Sequence, residues 1–246
     1  MTAWLLCAVL LGAGPPPEPA TPRSQLLDVS ADVLAPSESQ IGLFFAEYAH
    51  GVFPGFQLST HLAGDVVTLV NLSAKLRLLN RPELRASVEV GALWAPVATV
   101  LLHANVLSIP AALRATAPLG GRFELNLAAT YQSWNLNVGT LQLVSQSFGT
   151  EADLVRMDDS GAWLLQGRLP LATLRREVVT VEGTRTAFVG VNALADSASW
   201  SVMLARDLLF GDSGHVRLGL GYRRTPGILI VESIDHVIVQ LGLYWR

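Results

Sequence analysis

Cysteine is nearly missing from this chain, and charge is scarce. The one cysteine, Cys7, lies in an apolar run near the amino terminus. With that run removed no thiol remains, which excludes a disulfide framework, a thiolate nucleophile and a cysteine metal site. Charged residues are 15% of the 246, against roughly 25% in an average soluble domain, so there is too little charge to cover a conventional surface. A net charge of −3 without a run of like charges excludes the basic face that a nucleic-acid partner needs. Lysine occurs once, Lys75, and the rest of the 17 basic residues are arginine, a bias that marks no site. None of the 5 histidines stands at a zinc spacing, and there is no phosphate-binding glycine loop or cofactor motif. The expectation is therefore no catalytic, cofactor or metal site, and no enzyme.

What is present is apolar: half of the residues are hydrophobic and the mean hydropathy is +0.39. "AWLLCAVLLGAG" (3–14) followed by "PPPEPATP" has the length of an export-signal core with a helix-breaking segment where a peptidase can cut. It is too short to cross a bilayer as a helix, which takes about 20 residues. Residues 1–20 are thus expected as a signal peptide, 21–38 as a short periplasmic arm and 39–246 as one folded domain.

That domain reads as strand after strand. In "TLVNLSAKLRLLN" (68–80) Val70, Leu72, Ala74, Leu76 and Leu78 share one face, and Asn71, Ser73, Lys75 and Arg77 the other. "LRASVEVGALW" (84–94), "GRFELNLAATYQ" (121–132) and "HVRLGLGYRR" (215–224) alternate in the same way. "AGD", "NRPE", "PLGG", "MDDSG", "GDSG" and "RTPG" stand between such runs as turn chemistry. The stretch "VATVLLHANVLSIPAAL" (97–113) is broken by His103, Asn105 and Pro110 and is read as a strand with an irregularity at Pro110. The readable strands run about ten residues, the 9–11 that cross a bilayer obliquely, and exceed the roughly 5–6 of soluble sheets. Trp94, Trp134, Trp163, Trp200 and Trp245 fall at strand ends, as an aromatic girdle requires. Counting from a periplasmic amino terminus puts Trp94, Trp134 and Trp245 at one rim and Trp163 and Trp200 at the other.

"EYAHGVFPGFQLSTHLAG", "NLSAKLRLL", "GYRRTPG" and the terminal "VIVQLGLYWR" resemble the first and last hairpins of bacterial outer-membrane β-barrel proteins. The resemblance implies a closed, antiparallel, up-and-down transmembrane barrel of about 12 strands with short turns, in the outer membrane of a Gram-negative bacterium. It also implies outer-membrane lipid as surroundings and recognition of the last strand by the barrel-assembly machinery. Here Arg246 follows the terminal aromatic residue, Trp245.

The polar faces then line the lumen: Ser73, Lys75, Arg77, Arg85, Glu89, Arg114, Arg122, Glu124, Asn126, Arg217 and Arg223 are expected inside, with Gly219 and Gly221 as small lumen residues. Such a lumen, of mixed charge and largely filled by side chains, suits a scaffold or a narrow pore for small solutes. The alternatives are a membrane-embedded lipid hydrolase, for which Ser59 and His61 are the nearest local pair, and a soluble lipocalin-like periplasmic binder. Charge pairing within hairpins sets Lys75 opposite Glu89, through a loop of residues 81–83, and Arg114 opposite Glu124, through a loop of residues 118–120.

Overall fold

The computed structural model describes residues 29–43, 47–61, 70–95, 104–181, 184–193, 200–210, 214–225 and 234–245. The expected signal segment, residues 21–28 of the arm, and Arg246 lie outside them. After an irregular stretch at 29–38 come β1 (Ser39–Leu43), β2 (Glu47–Phe53), β3 (Phe56–His61), β4 (Val70–Arg81) and β5 (Leu84–Ala95). The long strands β6 (Ala104–Gly120), β7 (Phe123–Val138), β8 (Leu141–Asp158) and β9 (Gly161–Val181) follow. β10 (Thr184–Ala193), β11 (Trp200–Phe210), β12 (Gly214–Thr225) and β13 (Ile234–Trp245) complete the chain.

Each strand pairs antiparallel with its neighbours, and β1 meets β13 through Ile41–Trp245, Gly42–Tyr244 and Leu43–Leu243, closing the sheet into a barrel. The wall counts 12 strands because β10 and β11 share one edge of β9. Residues 184–193 pair with 172–181 of β9, and 201–208 pair with 161–168, so β10 and β11 descend in line as two halves of one return strand. Closure removes the edges that an open sheet would present at β1 and β13, while β10 is paired only with β9 among the described residues. Both described termini lie at the same end, and there the turns at 54–55, 82–83 and 121–122 are two residues long. β6 to β9 run 16 to 21 residues, against 11 or 12 in β11 to β13, so one side of the wall stands taller at the opposite end.

Alternation decides what each face carries. Val239, Val237, Leu220 and Leu72 point outward and are 75, 66, 62 and 54% exposed, whereas Lys75, Glu124, Asp207 and Arg217 point inward and are 3, 2, 2 and 0% exposed. This inverts the usual soluble arrangement, in which charged residues are almost never fully buried. Of the 97–113 stretch, residues 97–103 lie outside the described residues and the rest belongs to the strand Ala104–Gly120, in which Pro110 causes no bulge. The β5 ladder is interrupted opposite Pro110 and resumes in the same register, and the ring packs over Gly91, where there is no side chain to collide with.

Lys75 is opposite Glu89, as charge pairing predicts, but the route differs. The turn is Pro82–Glu83, with Arg81 opposite Leu84, and a bulge at Leu78 absorbs the extra residue and restores the register. The Arg114–Glu124 expectation is overturned. Arg114 is opposite Ala128 and Glu124 opposite Pro118, because the chain turns later, after a bulge at Leu119. Gly120 and Gly121 have φ of 98° and 59°, the left-handed region that glycine enters at least cost, and this pair fixes the turn.

The tryptophan rims also differ from the count. Trp94, Trp134 and Trp200 lie toward the end away from the termini, while Trp163 and Trp245 lie at the terminal end. The short β1 and the split return strand change the direction in which later strands run. Trp134 pairs with Ser108 and Ser145, so its register places it with the inward set of β7, whereas the other four share the outward set.

Candidate functional site

The bore of the barrel is where the polar chemistry converges, and residues 29–38 occupy it. They were expected to form an arm outside the barrel, yet Ala31, Leu34, Ser30 and Val29 are 0, 1, 2 and 4% exposed. The physical reason is visible in the wall: inward cations and amides need partners, and an extended backbone supplies them at every residue. Lys75 Nζ donates to the Ser30 carbonyl at 2.8 Å and Arg77 to the Val33 carbonyl at 3.1 Å. The Ala31 N–H donates to Thr116 Oγ1 at 2.8 Å, and the Leu34 N–H to Gln57 Oε1 at 3.1 Å. Asp32 receives Arg85 on both carboxylate oxygens at 2.9 and 2.8 Å.

Apolar contacts hold the two ends of the segment. Val29 packs with Val155, Ala162, Leu164 and Ala205, and Leu34 with Ala49 on the other side. The segment therefore touches β2, β3, β4, β5, β6, β8, β9 and β11 and crosses the bore from wall to wall. At its exit the Ser37 N–H bonds the Gly51 carbonyl and the Gly51 N–H bonds the Glu38 carbonyl. A Cβ at Gly51 would overlap the Ala35 carbonyl, so this close approach depends on glycine.

Two ionic groups continue along the wall. Arg85 also binds Glu124 at 2.9 Å, and Arg114 bridges Glu89 at 3.1 Å and Glu151 at 3.5 Å, with Arg168 on the other oxygen of Glu151 at 3.1 Å. Nearer the terminal end, Asp207 accepts from His215 Nδ1 at 2.9 Å and from Arg217 Nε at 3.0 Å. Gln40 Nε2 lies 3.3 Å from His215 Nε2, and the Tyr244 ring stacks on the imidazole with centroids 4.5 Å apart. Donation of Nδ1–H to Asp207 leaves Nε2 as the acceptor for Gln40. With His215 at 1% and Asp207 at 2% exposure, this is a sealed dyad with no access for a substrate.

Of the residues expected in the lumen, Lys75, Glu124, Asn126 and Arg217 are buried on the inner face, and Ser73, Arg77, Arg85, Glu89, Arg114 and Arg223 are half-buried on it. Arg122 is not there. It sits in the turn with its side chain 58% exposed and pairs with Asp159 at 3.0 Å. Gly219 and Gly221 face inward, where added Cβ atoms would meet Ala205 and Met203. Ser59 is 9% exposed on the inner face, while the side chain of His61 lies outside the described residues, and the pair with it.

Asp32, Gln57, Thr116 and the Asp207–His215 pair escaped sequence reasoning. Asp207 and Arg217 are equidistant from the "GDSG" turn and directly opposed, a signal that hairpin symmetry carries. Nothing comparable marks Asp32.

At the terminal rim Arg206, on the outer face, binds Asp158 through two bonds of 2.7 and 2.9 Å and lies 5.1 Å above the Trp163 ring. The Arg206 guanidinium, followed by the Ser160 hydroxyl, holds the Asp158 carboxyl well below the usual carboxylate range.

Among the described residues no group of three or more His, Cys, Asp or Glu is placed to hold a metal ion. No protein-family model matches the chain, and no curated protein is significantly similar to it.

Proposed function

We propose that this protein is an integral outer-membrane β-barrel whose bore, closed by its own amino-terminal segment, serves as a narrow passage for small solutes. One observation carries the reading: the wall is apolar outside and ionic inside, with Val239 75% exposed and Arg217 at 0%. Water cannot favour that partition, because each exposed Å² of apolar surface costs about 25 cal/mol when it could have been buried. Lipid favours it, and a closed barrel satisfies the backbone within the bilayer. The strands of 11 or 12 residues in β11 to β13 match an oblique crossing of the hydrocarbon, for which 9–11 are needed.

Trp94 and Trp200 toward one rim, and Trp163 and Trp245 at the other, suit two interfacial girdles. Arg206 above Trp163 suits the headgroup level. The terminal end, with its two-residue turns, is the periplasmic side in this reading. A passage is favoured over a pure scaffold because the polar bore is filled by a separate stretch of chain as well as by wall side chains.

The test is fractionation of cells expressing the full chain. Recovery with outer membranes, release only by detergent and a heat-dependent change in gel mobility are expected. A monomer that stays soluble in buffer without detergent would overturn the reading in favour of a soluble binding barrel.

A further inference from the structure

Most of what fastens residues 29–38 in the bore is aimed at main-chain groups. The carbonyls of Ser30 and Val33, the N–H groups of Ala31 and Leu34 and the carboxylate of Asp32 are each met by a wall side chain. A cradle of that kind recognises an extended peptide carrying one negative charge. It tolerates small side chains and needs no wall strand to move for the peptide to leave.

We propose that residues 29–38 are a displaceable plug, held by Lys75, Arg77 and Arg85, and that the solutes for which it makes way are small anions of the carboxylate or phosphate type. The inference rests on the membrane-barrel reading above and deepens it. Among the described residues the plug has no ladder partner over 29–36, and its backbone pairing to the wall is at Ser37 and Glu38 beside Gly51. Displacing it breaks five side-chain attachments together with the apolar contacts of Val29 and Leu34, and leaves the strand ladders intact.

Charge then sets the solute class. With Asp32 withdrawn, Lys75, Arg77 and Arg85 face the vacated space, with Glu124 on Arg85 and Glu89 across the strand from Lys75, so the three cations exceed these two acids. An entering anion replaces the Asp32 carboxylate on Arg85 Nη1, which meets both Asp32 oxygens while Nη2 holds Glu124, and a carboxylate or a phosphate oxygen suits that charged donor equally. Two buried polar atoms on the same inner face, Ser87 Oγ and Asn126 Nδ2, have no hydrogen-bond partner and add donors for such a guest.

The experiment uses the full-length chain in planar bilayers of phosphatidylcholine and phosphatidylglycerol, bathed in potassium chloride. Two variants loosen the plug by unrelated means: Asp32→Ala removes its charge, and Gly51→Val drives a side chain into Ala35. Each is expected to raise mean conductance at least tenfold over the unsubstituted chain, with a reversal potential that shows anion preference. Excess synthetic peptide VSADVLAPSE should close both again. A third protein, Gly51→Val with Ala31→Cys, Thr116→Cys and Cys7→Ser, should conduct when reduced and fall silent when oxidised.

If both loosened variants float with the vesicles and keep the heat-dependent mobility shift but conduct like the unsubstituted chain, the plug is a fixed part of the core and the proposal fails. Equal conductance of the oxidised and reduced lock also overturns it, and cation preference overturns the solute class. Failure of the unsubstituted chain to float would instead overturn the membrane reading on which the proposal rests. Flotation and conductance therefore separate the two failures.

Discussion

Asp207 on β11 and Arg217 on β12 are directly opposed across one hairpin, and the carboxylate shares itself between Arg217 Nε and His215 Nδ1. All three side chains are sealed from solvent, so the group behaves as one buried ionic unit. Removing one member leaves the others uncompensated. Asp207→Asn should lower unfolding stability in detergent by about 3 kcal/mol, within the range for breaking a buried pair. Denaturant titration followed by tryptophan fluorescence measures it, and a loss below 1 kcal/mol (about fivefold in the equilibrium) would show that Asn holds both partners.

Leu76 and Ser73 lie on opposite faces of β4, as Lys75 marks the buried side. Leu76→Arg and Val239→Arg should each cost roughly 2–4 kcal/mol if their sites lie near the lipid midplane. The check is refolding into phosphatidylcholine vesicles. Cysteines introduced at 73 and 239 in a Cys7→Ser background should differ in labelling by a lipid-soluble maleimide, with 239 far the more reactive. Equal labelling would contradict the assignment of faces.

Gly161 opens β9 with φ of 144°, and a Cβ there would overlap the Asp207 carbonyl. Gly161→Ala combines a strained backbone with a collision against main chain that has nowhere to retreat. A loss of about 2 kcal/mol is expected, within the 1–3 typical of such strain. Gly121→Ala, in the left-handed region but with open space around its Cβ, should cost less. Thermal unfolding of the two variants side by side tests the order, and a reversal would mean that space does not matter at this rim.

The Asp158–Arg206 contact makes a pH prediction. The folded carboxyl is depressed below its unfolded value near 4, so its contribution is complete above that value and is lost as pH falls through the folded one. The position of Arg206 over Trp163 should therefore persist from neutral pH down past the ordinary carboxylate range and loosen only in strong acid. In Asp158→Asn that acid step should vanish. Fluorescence of a variant retaining Trp163 as its sole tryptophan reads it out, and a midpoint near pH 4 would contradict the depressed value.

Alternation made the sheet legible, because a period of two is a local property that needs no knowledge of partners. Leu72 against Lys75, or Leu220 against Arg217, declares its face from neighbours alone. Register is less local. Charge pairs Lys75 with Glu89 correctly even though the turn lies at Pro82–Glu83 and not at 81–83, since the Leu78 bulge compensates a two-residue loop. Arg114 departs from its expected partner because two adjacent glycines move the "PLGG" turn, and its acids are Glu89 on the adjacent β5 and Glu151 on β8, two strands away on the other side. The bore segment was illegible for a different reason. "VSADVLAPSE" has neither strand alternation nor turn spacing, and its conformation is dictated by a cavity that exists only once the ring is assembled.

The seam between β1 and β13 is three residue pairs long, and it joins Ile41 to Trp245, the widest separation along the chain of any neighbouring strands. Every other ladder joins strands close in sequence and can zip from a hairpin, whereas this one closes a loop made of nearly the whole domain, at an entropic cost that grows with loop length. Closure therefore carries the largest entropic cost of any ladder in the ring and has three pairs to set against it. The segment lodged in the bore touches β2 to β6 on one flank and β8, β9 and β11 on the other, so it acts as a cross-tie. Once the ring is closed it ties the two flanks to each other across the bore, so a seam of three pairs is not left to hold them alone.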